Sequence, residues 1–369
     1  MGGLAVAAGH GAYHGPPELT LTRVFTSWTV DLPMLALVLL LGGCYVAGLR
    51  RLSGSGQRWP AGRSVSFLGL GLGMLVIATM SWVGVYQNVV FWVRSAQTIL
   101  LLLVVPLFLA LGRPLTLATA AAPRAGRRID AVISSGAARV CTFPLITVGV
   151  MVAVPFLLYF SPWYASTFHN GGARELTYLA LMAPGFVFFW TLLRIDPVPR
   201  QYPYLVALWI TTAEVIFDAV LGLAVLADQN LIAGAYYHAL ARPWGPRPQV
   251  DQMFGGAVLW VFGDVVGLPF LVAQIVQMMR QDEKDAAQID AELDARDAAR
   301  AAEQAALAAD GATDAGPNAA EDGGAAGAGG AAGEDGAPGS AESPPSVPAG
   351  DRPWWETDPQ LTRRYRPGA

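Results

Sequence analysis

The 369 residues are 53% hydrophobic and only 14% charged, whereas a soluble domain carries about a quarter charged residues. Mean hydropathy is +0.41 and the apolar residues fall in long continuous runs, which excludes a conventional soluble enzyme and points to a polytopic membrane protein. The net charge of −4 hides a basic front part and acids gathered in the last quarter, and nothing in it calls for a nucleic-acid partner.

The first residues, MGGLAVAAGHGAYHGPPEL, lack a basic start and a sustained apolar core, so no signal peptide is expected. Residues 1–29 are read as an arm outside the membrane. Seven runs of roughly 17–25 residues can then each cross a bilayer as a helix. They cover about 30–49, 64–85, 95–111, 144–160, 175–193, 204–227 and 255–279. The runs are continuous rather than alternating, so a β-barrel does not compete.

Arginines orient the bundle. The first loop holds Arg50, Arg51, Arg58 and Arg63, and the third holds Arg113, Arg124, Arg127, Arg128 and Arg139. Arg194 and Arg200 lie in the fifth loop, and Arg280 and Lys284 open the tail. The intervening loops are poorer in basic residues, so the N-terminus is expected outside and the C-terminus in the cytoplasm. All four histidines, His10, His14, His169 and His238, then lie outside. They are candidate metal ligands, with the arm GHGAYHG able to catch copper or zinc weakly. Cys44 and Cys141 form no CxxC pair and are expected as free thiols.

Beyond the seven-helix part, 30–280, the stretch 281–310 is rich in Ala, Asp, Glu and Arg and reads as a charged helical extension. Residues 311–353 are low-complexity Gly, Ala and Pro with acids, expected to be disordered. The terminal piece, 354–369, contains WWETDPQLTRRYR and suits docking to a partner or to the bilayer.

Five charges fall inside or at the mouths of the apolar runs: Arg94, Arg174, Glu214, Asp218 and Asp264. A charge at a bilayer centre costs roughly 2.5–3.5 kcal/mol on insertion scales, so each needs a partner or a function. Arg94 and Arg174 cap the outer ends of the third and fifth spans. Glu214 and Asp218, four residues apart, share a face of the sixth. One Arg–carboxylate network across the third, fifth, sixth and seventh spans is the expected arrangement. An ion or small-molecule path through the carboxylates is the alternative. Pro106, Pro155, Pro184 and Pro269 lie within spans and predict kinks. Gly255 and Gly256 predict close approach of a neighbouring helix. The sequence contains no HExxH, Walker loop, GxSxG, dinucleotide turn or Cys–His zinc pattern, and the chain is not expected to be an enzyme.

From residue 91 to 294 the sequence resembles the CtaG-type assembly factors of bacterial caa3-type cytochrome c oxidases. The matching phrases are VVPLFLALGRPLTLA (104–118), FFWTLLRIDPVPR (188–200), FDAVLGLAVL (217–226), DQMFGGAVLWVFGD (251–264) and the charged run QMMRQDEKDAAQIDAELD. The resemblance implies seven membrane helices and a role in assembling, or handling copper for, a haem–copper oxidase. Its partners would be oxidase subunits or other assembly factors. It also implies histidine pairs near the outer ends of the third and fifth spans and one histidine in the sixth. Those positions fall on Arg94 and Thr98, on Arg174 and Tyr178, and on Asp218, none of which is histidine. The expected copper ligands are therefore missing. The expectation is that Arg94 and Arg174 carry the charge a metal would have brought, paired with Glu214, Asp218 and Asp264. If copper is handled at all, it would be through the outer histidines.

Overall fold

The computed structural model describes residues 13–199 and 202–314. His10 and the terminal peptide 354–369 lie outside them, as does the low-complexity stretch from residue 315 onward. Among the described residues every regular element is helical. After a short turn of helix at Leu21–Thr26 come α1 (Leu32–Gly54), α2 (Ala61–Tyr86), α3 (Phe91–Ala121), α4 (Pro123–Ile133), α5 (Gly136–Cys141), α6 (Pro144–Phe160), α7 (Pro162–His169), α8 (Gly171–Leu193), α9 (Tyr204–Ala227), α10 (Gly234–Leu240) and α11 (Pro248–Asp314). Six of these are long and apolar enough to cross a membrane, and the bent pair α6–α7 brings the number to seven if it is one span.

The bend of 70° between α6 and α7 falls at Ser161, not at Pro155 inside α6. Ser161 is extended and its hydroxyl accepts from Trp163 N–H, while Pro162 opens the next helix. A residue before proline is driven out of the helical region, so the break sits where sterics require it. Pro155, by contrast, is carried through α6.

α3 begins at Phe91, four residues before the expected start, which places Arg94 one turn inside the helix. It also loosens to a π-helical turn over Leu100–Val104 just ahead of Pro106. Proline has no N–H to offer the carbonyl of Leu102, four residues back. There α8 makes its closest approach: a Cβ on Gly185 would overlap the Leu102 carbonyl and crowd Pro106. The freed carbonyl and the missing side chain let the two backbones meet.

Long-range hydrogen bonds sort the helix ends. At one end Thr29 N–H bonds to Met80 O at 2.8 Å, joining the start of α1 to α2. There too Asp251 of α11 accepts from the backbone N–H groups of Phe91 and Trp92 at 3.1 and 3.2 Å. Those are free donors at the start of α3, so Asp251 acts as its cap although it is 160 residues away. Asp251 also pairs with Arg242 at 3.1 Å. At the opposite end Tyr45 donates to Gly112 O at 2.9 Å. There Asp196, the Asp of DPVPR, accepts from Leu115 N–H, Thr116 N–H and the Thr116 hydroxyl. It caps the last segment of α3, Pro114–Ala121, after the left-handed Arg113 breaks the helix. Two of the distinctive sequence phrases thus supply caps at opposite ends of α3.

The seventh span also packs as anticipated. Gly255 lies against Phe91 and Ser95, and Gly256 lies against Gly222 O. The chain divides into two compact units, residues 1–294 and 295–369. In the first, residues 282–294 of α11 are exposed, and in the second, Ala295–Leu307 are exposed helix, consistent with their charge.

Candidate functional site

Arg94 projects from α3 into the bundle and is 2% exposed. Among the described residues no carboxylate pairs with it. One guanidinium nitrogen donates to Gln87 Oε1 (3.3 Å) and Asn88 Oδ1 (3.5 Å), the other to Thr167 Oγ1 (2.8 Å). The rings of Tyr164 and Phe168 stand 5.3 and 5.6 Å from its Cζ. Neutral oxygens and aromatic faces therefore compensate the cation.

A layer of buried hydroxyl and amide groups surrounds it. Tyr178 donates to the same Gln87 Oε1 at 2.8 Å, and Gln97 Nε2 reaches Ala78 O at 2.8 Å and Tyr178 Oη at 3.4 Å. Thr98 Oγ1 donates to Arg94 O at 3.0 Å and lies 3.1 Å from Tyr159 Oη. Tyr164 and Tyr237 share a hydrogen bond of 2.9 Å. Tyr237, in the α10 connection outside the spans, has its phenol pKa raised by burial, which keeps it a neutral partner. Arg94, Thr98 and Tyr178 thus belong to one packed polar–aromatic core.

The other expected members are elsewhere, and the single network does not form. Arg174, whose side chain is 33% exposed, meets Asp31 at 3.8 Å and its neighbour Glu175 at 3.2 Å. Asp31 is the cap of α1, accepting from Met34 N–H. Arg174, Asp31, Thr79, Gln87 and Asn88 line a polar recess of about 400 Å³ above the Arg94 core. Glu214 and Asp218, 2% and 7% exposed, lie one turn apart on α9 in the α9–α11 seam. The seam has room because α11 offers glycines: a Cβ on Gly263 would stand 3.1 Å from Asp218 Oδ2, and one on Gly267 3.6 Å from Glu214 Oε2. Among the described residues Asp218 Oδ2 has no hydrogen-bond partner, and Asp264 is half-buried. The expected pairing of arginines with these carboxylates is replaced by two separate arrangements. The physical reason is reach: near-neighbour groups at the helix ends satisfy Arg94 and Arg174 first.

His14, His169 and His238 are exposed, and His169 packs edge-on to Tyr236. Among the described residues no three His, Cys, Asp or Glu side chains converge on a point. The five positions where the resemblance places imidazoles do not fit copper either. They present a buried guanidinium, a second arginine, two hydroxyls and one carboxylate, and a fixed buried cation repels a metal ion.

Gln87, Gln97, Thr167, Tyr159 and Tyr164 were not singled out by the sequence, because single neutral polar residues barely lower the hydropathy of an apolar run. Asp31, Asp196 and Asp251 sit at helix boundaries, a signal that capping rules could have supplied.

A family model described as cytochrome c oxidase caa3 assembly factor matches residues 43–281. An uncharacterized protein of Mycobacterium leprae is 30% identical over 291 residues, covering 77% of this chain and 44% of that protein. Uncharacterized proteins of Mycobacterium bovis and Mycobacterium tuberculosis are each 28% identical over the same length and coverage. The chain thus spans less than half the length of these relatives. No solved structure matches it.

Proposed function

We propose a role in building a haem–copper oxidase, from one premise: this chain belongs to the cytochrome c oxidase caa3 assembly factor family. The protein would act in a bacterial plasma membrane with its N-terminus outside. It would work through contacts with oxidase subunits or other assembly factors, without catalysis and without a copper ion at the Arg94, Thr98, Arg174, Tyr178 and Asp218 positions. The observation that carries this reading is the satisfied guanidinium of Arg94, packed among Gln87, Asn88, Thr167 and aromatic rings. It supports a scaffold that keeps its shape by internal hydrogen bonding in place of a metal.

The test is affinity purification from the native membrane, with partner identification and metal analysis on one sample. Oxidase subunits should co-purify with only sub-stoichiometric copper. Near-stoichiometric copper that disappears in Asp218→Asn or Tyr178→Phe would overturn the metal-free reading, and absence of oxidase components would overturn the assembly role. A second reading, a cation path through Glu214, Asp218 and Asp264, draws on the unpartnered Asp218 Oδ2. Uptake into proteoliposomes that is lost in Asp218→Asn would favour it.

A further inference from the structure

We infer that the end of the bundle bearing α4 and α5 holds an anionic phospholipid, with its headgroup on the arginines of these helices and an acyl chain in the groove between α6 and α8. Arg124, Arg127 and Arg128 of α4 recur at i, i+3 and i+4, so they share one face. All three are exposed, as is Arg139 of α5. Against these four cations the stretch 123–143 holds one acid, Asp130, and among the described residues none of the four makes an ion pair. Ile129, Val132 and Ile133 lie about 140° around the same helix, at roughly 100° per residue. Val132 is 66% exposed. Ile129 and Ile133 are half-buried, so the apolar face is only partly covered by the bundle, and a short helix with a basic face and a partly open apolar face suits the headgroup layer.

The second observation is a groove of about 220 Å³ that begins at Cys141, the end of α5, and is walled by Ile146, Thr147, Val150, Pro184 and Val187. Its lining is almost wholly apolar, so it suits a hydrocarbon chain and has no use for a bare phosphate. The two halves are physically tied. Cys141, which closes α5 and walls the groove, accepts a hydrogen bond from Thr147 of α6 at 3.0 Å, and Arg139 lies two residues before it. α4 is seated in turn on the end of α3, where Gly126 packs against Thr119. Charge complementarity selects an anionic lipid over a zwitterionic one, and basic pockets between membrane helices are known to take such headgroups.

The full-length chain, purified in a neutral detergent, is mixed with dioleoyl phosphatidylglycerol or dioleoyl phosphatidylcholine, and retained lipid is read by native mass spectrometry. Phosphatidylglycerol should be retained at least about tenfold better, as several arginines near one anionic headgroup imply. The quadruple variant R124Q/R127Q/R128Q/R139Q, all surface changes, should erase that preference. Equal retention of the two lipids, or a preference that survives in the quadruple variant, overturns the headgroup assignment. Phosphatidylglycerol with six-carbon chains should bind at least about tenfold more weakly than the dioleoyl form, given the loss of buried methylenes. Equal binding of the two, or displacement of the long-chain lipid by millimolar inorganic phosphate, overturns the groove assignment.

Discussion

Arg94 carries a positive charge into a bundle interior with no carboxylate partner among the described residues, which is tolerable because three side-chain oxygens and two ring faces replace water around it. Truncation should therefore be costly: Arg94→Ala leaves a cavity and strips Thr167 and Asn88 of a donor, for a loss of about 2–5 kcal/mol. Arg94→Lys should recover only part of this, since an ammonium lacks the planar fork that reaches both sides. Thermal unfolding in detergent reads both, and an Arg94→Ala protein as stable as the parent would refute the assignment. Asp218→Asn behaves differently. Asn keeps the shape beside Gly263 and removes one of two adjacent buried carboxyl groups, so the melting temperature should hold or rise. A marked fall would mean that a bound cation normally ties Asp218 to Glu214.

At the scale of elements, the bundle depends on caps and close approaches supplied from distant sequence. Asp251 and Asp196 each satisfy backbone donors of α3, one at either end. Charge-assisted bonds of this kind are worth about 1.5–3 kcal/mol, so Asp196→Ala and Asp251→Ala should each lower stability by that order. For Asp251→Ala the loss should be greater, because Arg242 loses its partner as well. Measured unfolding midpoints of the two variants rank them. Gly185 is the tightest crossing, where any Cβ overlaps the Leu102 carbonyl. Gly185→Val should abolish the monodisperse peak in size exclusion, whereas Gly149→Val, at a position with open space around it, should leave that peak unchanged.

At the scale of the whole molecule, the unit ending at Asp294 holds its own core, so removing residues 295–369 should leave its thermal transition in place. A lost transition would show that the tail is part of the folding unit. The spans themselves were legible in the sequence because hydropathy is a property of contiguous residues: 144–160 and 204–227 appear with the anticipated limits. Family membership was legible in phrases such as DPVPR and DQMFGG, whose aspartates prove to be caps. What only the tertiary structure decided was who meets whom. Thr167 comes to Arg94 from 73 residues away and Tyr178 to Gln87 from 91, and the carboxylates of α9 turn to the glycines of α11 instead of to an arginine. Membrane insertion selects segments by their own transfer energies, one at a time, whereas the partner of a buried charge is chosen by packing between segments that the chain order leaves far apart.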